Sequence, residues 1–204
     1  MILLGRNLSP FVRRSATVLQ LLNVEHEQRI LNTADDIDFI RQHNPLGRVP
    51  ALVLADDETL VDSAAIIDHV LEIADQDHAL LPASGAERRR TLYLSALATG
   101  AMEKGVASAY EKTQRPAELY SEAIRDRLRG QAFAGLATLD DALGDADWFG
   151  GATPNLADVN AVVAFDFLGI VAPDAPELGR FTSLQSLTHR SAKLAAFANT
   201  RWTA

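Results

Sequence analysis

The sequence predicts a small α/β domain at the N-terminus followed by an all-α domain. Three observations carry that expectation. Over residues 1–76, short apolar runs closed by glycine or proline alternate with segments of helical period. Composition then shifts through 77–85, a linker containing Asp77-His78 and Leu81-Pro82-Ala83-Ser84-Gly85, and residues 86–204 show helical spacing with no strand pattern. Hydrophobic residues make up 48% of the 204 residues and aromatics only 6%, so the interior must be built from Leu, Ala, Val and Ile, a mixture suited to closely packed helices.

Ile2-Leu3-Leu4, closed by Gly5, reads as a buried strand. After Ser9-Pro10, the residues Phe11, Val12, Ala16, Leu19 and Leu22 recur at helical spacing to Asn23. Glu27 to Leu31 is a second strand and Ile37 to Ile40 a short helix. Strand, helix, strand in one sheet implies a right-handed parallel crossover. Pro50 to Leu54 is a third strand, Asp56-Asp57-Glu58 a turn, and Thr59-Leu60-Val61 a fourth strand antiparallel to the third; a helix from Ser63 to Ile73 closes the unit.

Beyond the linker, Leu92, Leu94, Leu97 and Met102 lead a helix toward Tyr110, and Arg115-Pro116 ends it. Leu128, Ala132, Leu136, Leu139 and Leu143 mark a long second helix. The loop from Gly144 to Gly151 precedes Asn155, which with Asp158 three residues later forms a helix start of capping-box type. The helix that follows carries Val159, Val162, Val163, Phe165 and Phe167 and belongs in a core. Pro173 and Pro176 bound a turn, and a last helix spans Thr182 to Ala198.

The formal net charge of −8 opposes a nucleic-acid partner, because phosphate binding needs a basic face. Arg88-Arg89-Arg90 is read as a solvated face. With no cysteine, the chain has no disulfide, no cysteine–zinc site and no cysteine nucleophile. The histidines at 26, 43, 69, 78 and 189 lack metal-ligand spacing, so no metal is expected. No run reaches the ~20 apolar residues of a membrane helix, so the expected location is cytoplasmic.

Asn44-Pro-Leu-Gly-Arg-Val-Pro-Ala-Leu, with Asp62-Ser63 twelve residues after Pro50, is the most informative stretch. An X-Pro bond takes the cis form at modest cost, and a cis Val49-Pro50 bond would turn the backbone polar groups of Val49 toward a ligand. Asp62 and Ser63 open a helix whose free first-turn amides would face the same ligand. Such a site suits a small peptide with a free carboxylate.

Together with Leu8-Ser9-Pro10-Phe11-Val12-Arg13-Arg14, these motifs resemble the cytosolic glutathione transferase family. Residues 1–76 resemble its thioredoxin-like glutathione-binding domain, and Ser-Pro-Phe-x-x-Arg resembles its serine-type members. The helical remainder resembles the family through its length and Pro154-Asn155-Leu156-Ala157-Asp158-Val159. Asn155 stands where Ser or Thr is usual and caps about as well.

The resemblance implies that Ser9 is catalytic, donating a hydrogen bond to the sulfur of bound glutathione, with Asn7 in reserve. It implies that Val49, beside Pro50, exchanges backbone hydrogen bonds with the cysteinyl part, and that Ser63 binds the γ-glutamyl carboxylate. Asp62, where Glu is more usual, faces the ligand's amine. Arg48 lies near the glycyl carboxylate, with Gln42 or His43 assisting, and Arg13 is structural or polarises the Ser9 region. Phe11 borders glutathione and, with Met102, Val106 and Tyr110, lines an electrophile site contributed by the helical domain. Glutathione is the implied co-substrate, with no tightly bound cofactor, and the assembly is a homodimer.

The expected activity is conjugation of the glutathione thiolate to a small hydrophobic electrophile, as in detoxification. Glutathione-dependent isomerisation or peroxide reduction would use the same thiolate. A non-catalytic glutathione-binding or scaffold protein is the alternative from another class.

Overall fold

The computed structural model describes residues 1–203. In chain order its elements are β1 (Ile2–Leu4), α1 (Pro10–Leu21), β2 (Glu27–Arg29), α2 (Ile37–His43), β3 (Ala51–Val53), β4 (Thr59–Val61) and α3 (Ser63–Ala74). There follow α4 (Gly85–Thr113), α5 (Glu122–Leu143), α6 (Leu156–Val171), α7 (Thr182–Ser191) and α8 (Ala195–Asn199), with short 3-10 turns at Ala117–Leu119 and Pro176–Arg180. They form two compact units: Met1–Leu81 joined by the C-terminal segment from Ala192, and Pro82–Ser191.

The first unit is built on a mixed sheet of order β2-β1-β3-β4, with β1 and β2 parallel and the other pairs antiparallel. Alternation along three-residue strands sorts the side chains. Ile2, Leu4, Ala51 and Val53 join Leu31, Ile40 and Phe39 of the α2 side in one cluster. Leu3 and Leu52, both fully buried, point to the opposite face, where α1 and α3 pack. The edge strand β2 reads Glu-Gln-Arg, and its two charged side chains are exposed, which discourages pairing with another chain.

α1 starts at Pro10, whose fixed φ suits the first helical position, and ends before Asn23 at φ 54°, a left-handed value that Asn tolerates. At the far end of the unit the buried Asp75 carboxylate accepts the backbone N–H groups of Ala79, Leu80 and Leu81, holding the chain as it leaves α3.

The second unit is a helical bundle in which α4 packs against α5 and α6, and α7 against both α5 and α6. α4 and α6 approach closely at Gly105, where a Cβ would lie 2.7 Å from Cδ2 of Leu168. The α4–α5 connection turns on Glu111, a buried carboxylate that accepts the Ser121 N–H at 2.9 Å and pairs with Arg115 at 2.7 Å. α6 begins with the expected capping box: the Asn155 side chain accepts from Ala157 and Asp158, and the Asp158 carboxylate accepts from Asn155 at 2.8 Å. Asp158 also accepts from Phe149 at 2.9 Å and Gly150 at 3.4 Å, so it ties the preceding loop to the helix start. No helix among the described residues is long and apolar enough to cross a membrane.

Two expectations are corrected. The last helix is broken at Ala192-Lys193-Leu194, because Leu194 is extended (φ −91°, ψ 127°) and starts a new helix. The segment from there onward also packs with the first unit rather than with the helical domain to which 86–204 was assigned. Neither Gly nor Pro marks the break. It lets Phe197 and Thr200 bury with α1, where the Thr200 and Thr17 hydroxyls lie 2.8 Å apart.

Burial pushes the Asp158 carboxyl up to about 6, against the opposing pull of its backbone N–H donors. The folded state therefore binds this proton more tightly than the unfolded chain, whose carboxyl titrates near 3.8. The stabilising contribution is complete below that value and is lost as pH rises through 6, an effect of up to about 3 kcal/mol. Asp158→Asn, whose amide N–H₂ would face backbone donors, should cost about 2–4 kcal/mol at neutral pH. In urea titrations the gap between wild type and variant should widen as pH is lowered from 7.5 toward 4.

Candidate active site

The register of the sheet assembles the site. Leu4 lies opposite Ala51, and Ala51 opposite Val61, so Gly5, Pro50 and Asp62 all sit at the same edge as their strands end or begin. The three motifs singled out in the sequence, the Ser9 turn, Val49-Pro50 and Asp62-Ser63, therefore converge although they span more than fifty residues.

The Ser9 turn runs from Arg6 to Ser9, whose N–H donates to the Arg6 carbonyl at 3.0 Å. Ser9 is the extended N-cap of α1 (φ −68°, ψ 119°), and its Oγ accepts the Val12 N–H at a long 3.4 Å. That bond uses an oxygen lone pair and not the hydroxyl proton. Capping the helix and donating to a ligand are thus compatible. Asn7 is drawn elsewhere: its Oδ1 accepts from Gln28 Nε2 at 2.8 Å, and the same amide donates to the Gly5 carbonyl at 2.9 Å.

The Val49-Pro50 bond is cis. Val49 packs beside the α2-side cluster and directly over Gly5, where a Cβ would lie 2.9 Å from the Val49 Cβ and 2.6 Å from a methyl of Val12. With φ at +125°, Gly5 suits both this backbone and this close approach. The loop before Val49 is held from within by buried Asn44: its Nδ2 donates to the Arg48 carbonyl at 2.9 Å, its Oδ1 accepts from Leu46, and its own carbonyl accepts from Gly47. Arg48 and Gln42 are exposed, while the His43 ring packs 4.9 Å from that of Phe39, which also carries the Arg29 guanidinium.

Asp62 caps α3, accepting the Ala64 N–H at 2.8 Å, with a backbone at φ 73°, ψ 139°. A non-glycine residue there costs about 1–3 kcal/mol and persists where the surroundings demand it. Ser63 is buried, and its Oγ accepts from Arg14 Nη1 at 2.9 Å. Arg14 is itself buried. Desolvation pulls its guanidinium down to about 10, with the Asp62 charge acting to raise it, so it stays cationic at neutral pH. The result is a positive charge behind the first turn of α3, adding to the helix dipole. Accepting from Arg14 uses an oxygen lone pair of Ser63 and not its hydroxyl proton.

Arg14, not among the expected site residues, reaches Ser63. Its signal was present, because Arg14 is the terminal arginine of Ser-Pro-Phe-x-x-Arg. Asn44 and Gly5 were also passed over as positioning residues. Among the residues expected to line an electrophile site, Phe11 and Val106 are half-buried and Tyr110 is exposed. Met102 is a correction: it is fully buried as core packing on α4 and presents no surface to a ligand.

Comparison with known proteins shows the family. Residues 3–78 match the glutathione S-transferase N-terminal domain and residues 122–198 the glutathione S-transferase C-terminal domain. The GST-like protein YibF of Escherichia coli (strain K12) is 33% identical over 184 residues, 86% of this chain and 89% of that protein. The chain belongs to the glutathione S-transferase family. Membership makes it a transferase, and the serine-type pattern fits its bacterial relatives. A maleylacetoacetate isomerase of Pseudomonas aeruginosa is 31% identical over 144 residues, 69% of this chain and 68% of the relative. Among solved structures, a glutathione transferase family member from Pseudomonas fluorescens Pf-5 with bound glutathione is 28% identical, with a TM-score of 0.82 over 100% of this chain and 99% of that one. A glutathione S-transferase of Methylobacterium radiotolerans in complex with glutathione sulfonate shares the fold, with a TM-score of 0.90 over 100% of this chain and 96% of that chain at 24% identity.

Gly5→Ala should push Val49 and Val12 away from the strand end and strain the backbone, lowering stability by about 2–4 kcal/mol. A shifted urea midpoint with an unchanged denaturant slope would report it.

Proposed function

We propose that this family member binds glutathione at the edge where β1, β3 and β4 converge, lowers its thiol pKa with Ser9, and conjugates the thiolate to a small hydrophobic electrophile. The observation that carries this reading is the Ser9 hydroxyl, which caps α1 as an acceptor and keeps its proton as a donor. Val49 offers backbone hydrogen bonds to the cysteinyl part, Ser63 with the α3 amides and the buried Arg14 charge receive the γ-glutamyl carboxylate, and Asp62 meets the amine. Arg48 extends toward the glycyl carboxylate, and Phe11 borders the bound ligand. Glutathione is a co-substrate and no tightly bound cofactor takes part.

A free thiol with pKa ~8.5 is only a few per cent ionised at neutral pH. Lowering it by about two units needs ~2.7 kcal/mol of preferential thiolate stabilisation. One hydrogen bond to a charged acceptor supplies roughly 1.5–3 kcal/mol. The N-terminus of α1 adds about 0.3–1 kcal/mol. The sum suffices without a general base. The thiol proton passes to solvent, the sulfur lone pair forms a C–S bond with the electrophilic carbon, and the leaving group departs with its electron pair.

A second reading rests on the maleylacetoacetate isomerase relative. The same thiolate adding reversibly to a double bond would release an isomer and regenerate glutathione, so product analysis separates the two. The homodimer, the cytoplasmic location and a detoxification role rest on family resemblance.

Ultraviolet titration of bound glutathione should give a thiol pKa well below 8.5 in wild type. In Ser9→Ala it should return about 1–2 units toward the free value, with kcat/KM falling about 10- to 150-fold. An unchanged pKa in wild type would overturn the proposal. Arg14→Met should instead weaken glutathione binding about tenfold or more in calorimetry, while the pKa of the thiol that does bind stays low.

A further inference from the structure

Trp202, in the segment after α8, packs against the turn that carries Ser9. The C-terminal segment is anchored first on α1: Phe197 and Thr200 are buried, Thr200 and Thr17 share a hydrogen bond, and Asn199 Nδ2 donates to Gln20 Oε1 at 3.4 Å. Two residues beyond Thr200, half-buried Trp202 lies under Arg6, with the guanidinium carbon 5.8 Å from the ring centroid. Arg6 is the first residue of the turn whose fourth residue is Ser9, and its carbonyl accepts the Ser9 N–H. On the β2 side the turn is held by Gln28, through the Gly5 carbonyl and Asn7. A further side-chain hold comes from Trp202, and a guanidinium over an indole is a favourable cation–aromatic pairing.

We propose that Trp202 is a positioning residue for Ser9, acting through Arg6 to set the turn so that the Ser9 hydroxyl meets the glutathione sulfur. The inference rests on the role proposed for Ser9 above. A charge-assisted hydrogen bond weakens steeply with misplacement, so a turn free to drift loses thiolate stabilisation before it loses ligand affinity. Under the proposed function glutathione is held mainly at Val49 and Ser63, and among the described residues the tail makes no hydrogen bond or ring contact with either. Tail loss should therefore appear in the thiol pKa and kcat, and not in binding.

The test is the thiol pKa of bound glutathione, its dissociation constant, and kcat with 1-chloro-2,4-dinitrobenzene, measured in full-length wild type, Trp202→Ala, Trp202→Phe, Arg6→Gln and Ser9→Ala. Trp202→Ala should lower the thiolate fraction and kcat about two- to fivefold with an unchanged dissociation constant, and Trp202→Phe should recover most of it. In the Ser9→Ala background Trp202→Ala should add nothing. If wild type lowers the pKa and Ser9→Ala abolishes the shift while Trp202→Ala and Arg6→Gln leave it intact, this inference fails and the Ser9 reading stands. If wild type shows no lowered pKa, both fall. Should Trp202→Ala not fold, Arg6→Gln decides the matter, since it removes the cation while leaving the tail in place.

Discussion

Everything at the candidate site depends on the register of β3 between β1 and β4. Opposing Leu4, Ala51 and Val61 makes three chain segments leave the sheet at one edge. A slip of one residue would carry Leu4 and Ala51 out of the α2-side cluster and Leu3 and Leu52 out of the opposite core. The same burial that stabilises the sheet thereby aligns the Ser9 turn, Val49-Pro50 and the start of α3. Gly5 refines that alignment, since any side chain there would occupy the space of Val49 and Val12.

Three buried carboxylates do much of the remaining positioning, each hydrogen-bonded at a junction between elements. Asp75 gathers three amides as the chain leaves α3, Glu111 closes the α4–α5 connection, and Asp158 joins a loop to a helix start. Arg14 differs in kind, because its partner Ser63 stands at the mouth of a helix and its charge adds to the field there. A buried guanidinium held by a serine and an exposed aspartate is an expensive way to stabilise a fold. Under the proposed function it prepares a site for a carboxylate.

Ser9 joins these two themes. A serine that only capped a helix would serve as well if it were Asp or Asn, whose side chains cap equally well. The hydroxyl combines an acceptor for the Val12 N–H with a proton that can be given to an anion, which the carboxylate of Asp lacks.

The sequence by itself determined the element order of the first unit, the mixed α/β then all-α plan, the capping box at Asn155 and Asp158, and three of the segments that meet at the site. These are local signals, set by side-chain period, cap chemistry and proline, and they need no knowledge of distant neighbours. Only the tertiary structure decided that Arg14 rather than Arg13 reaches Ser63, that Asn44 braces its loop, and that Met102 is core. A helix of given period presents successive residues about 100° apart, and which of two adjacent arginines faces α3 depends on how α1 is rotated in the packed unit. The break between α7 and α8 is of the same kind: Thr182 to Ala198 has no local stop signal, and burial of Phe197 and Thr200 with α1 outweighs the continuity of a helix.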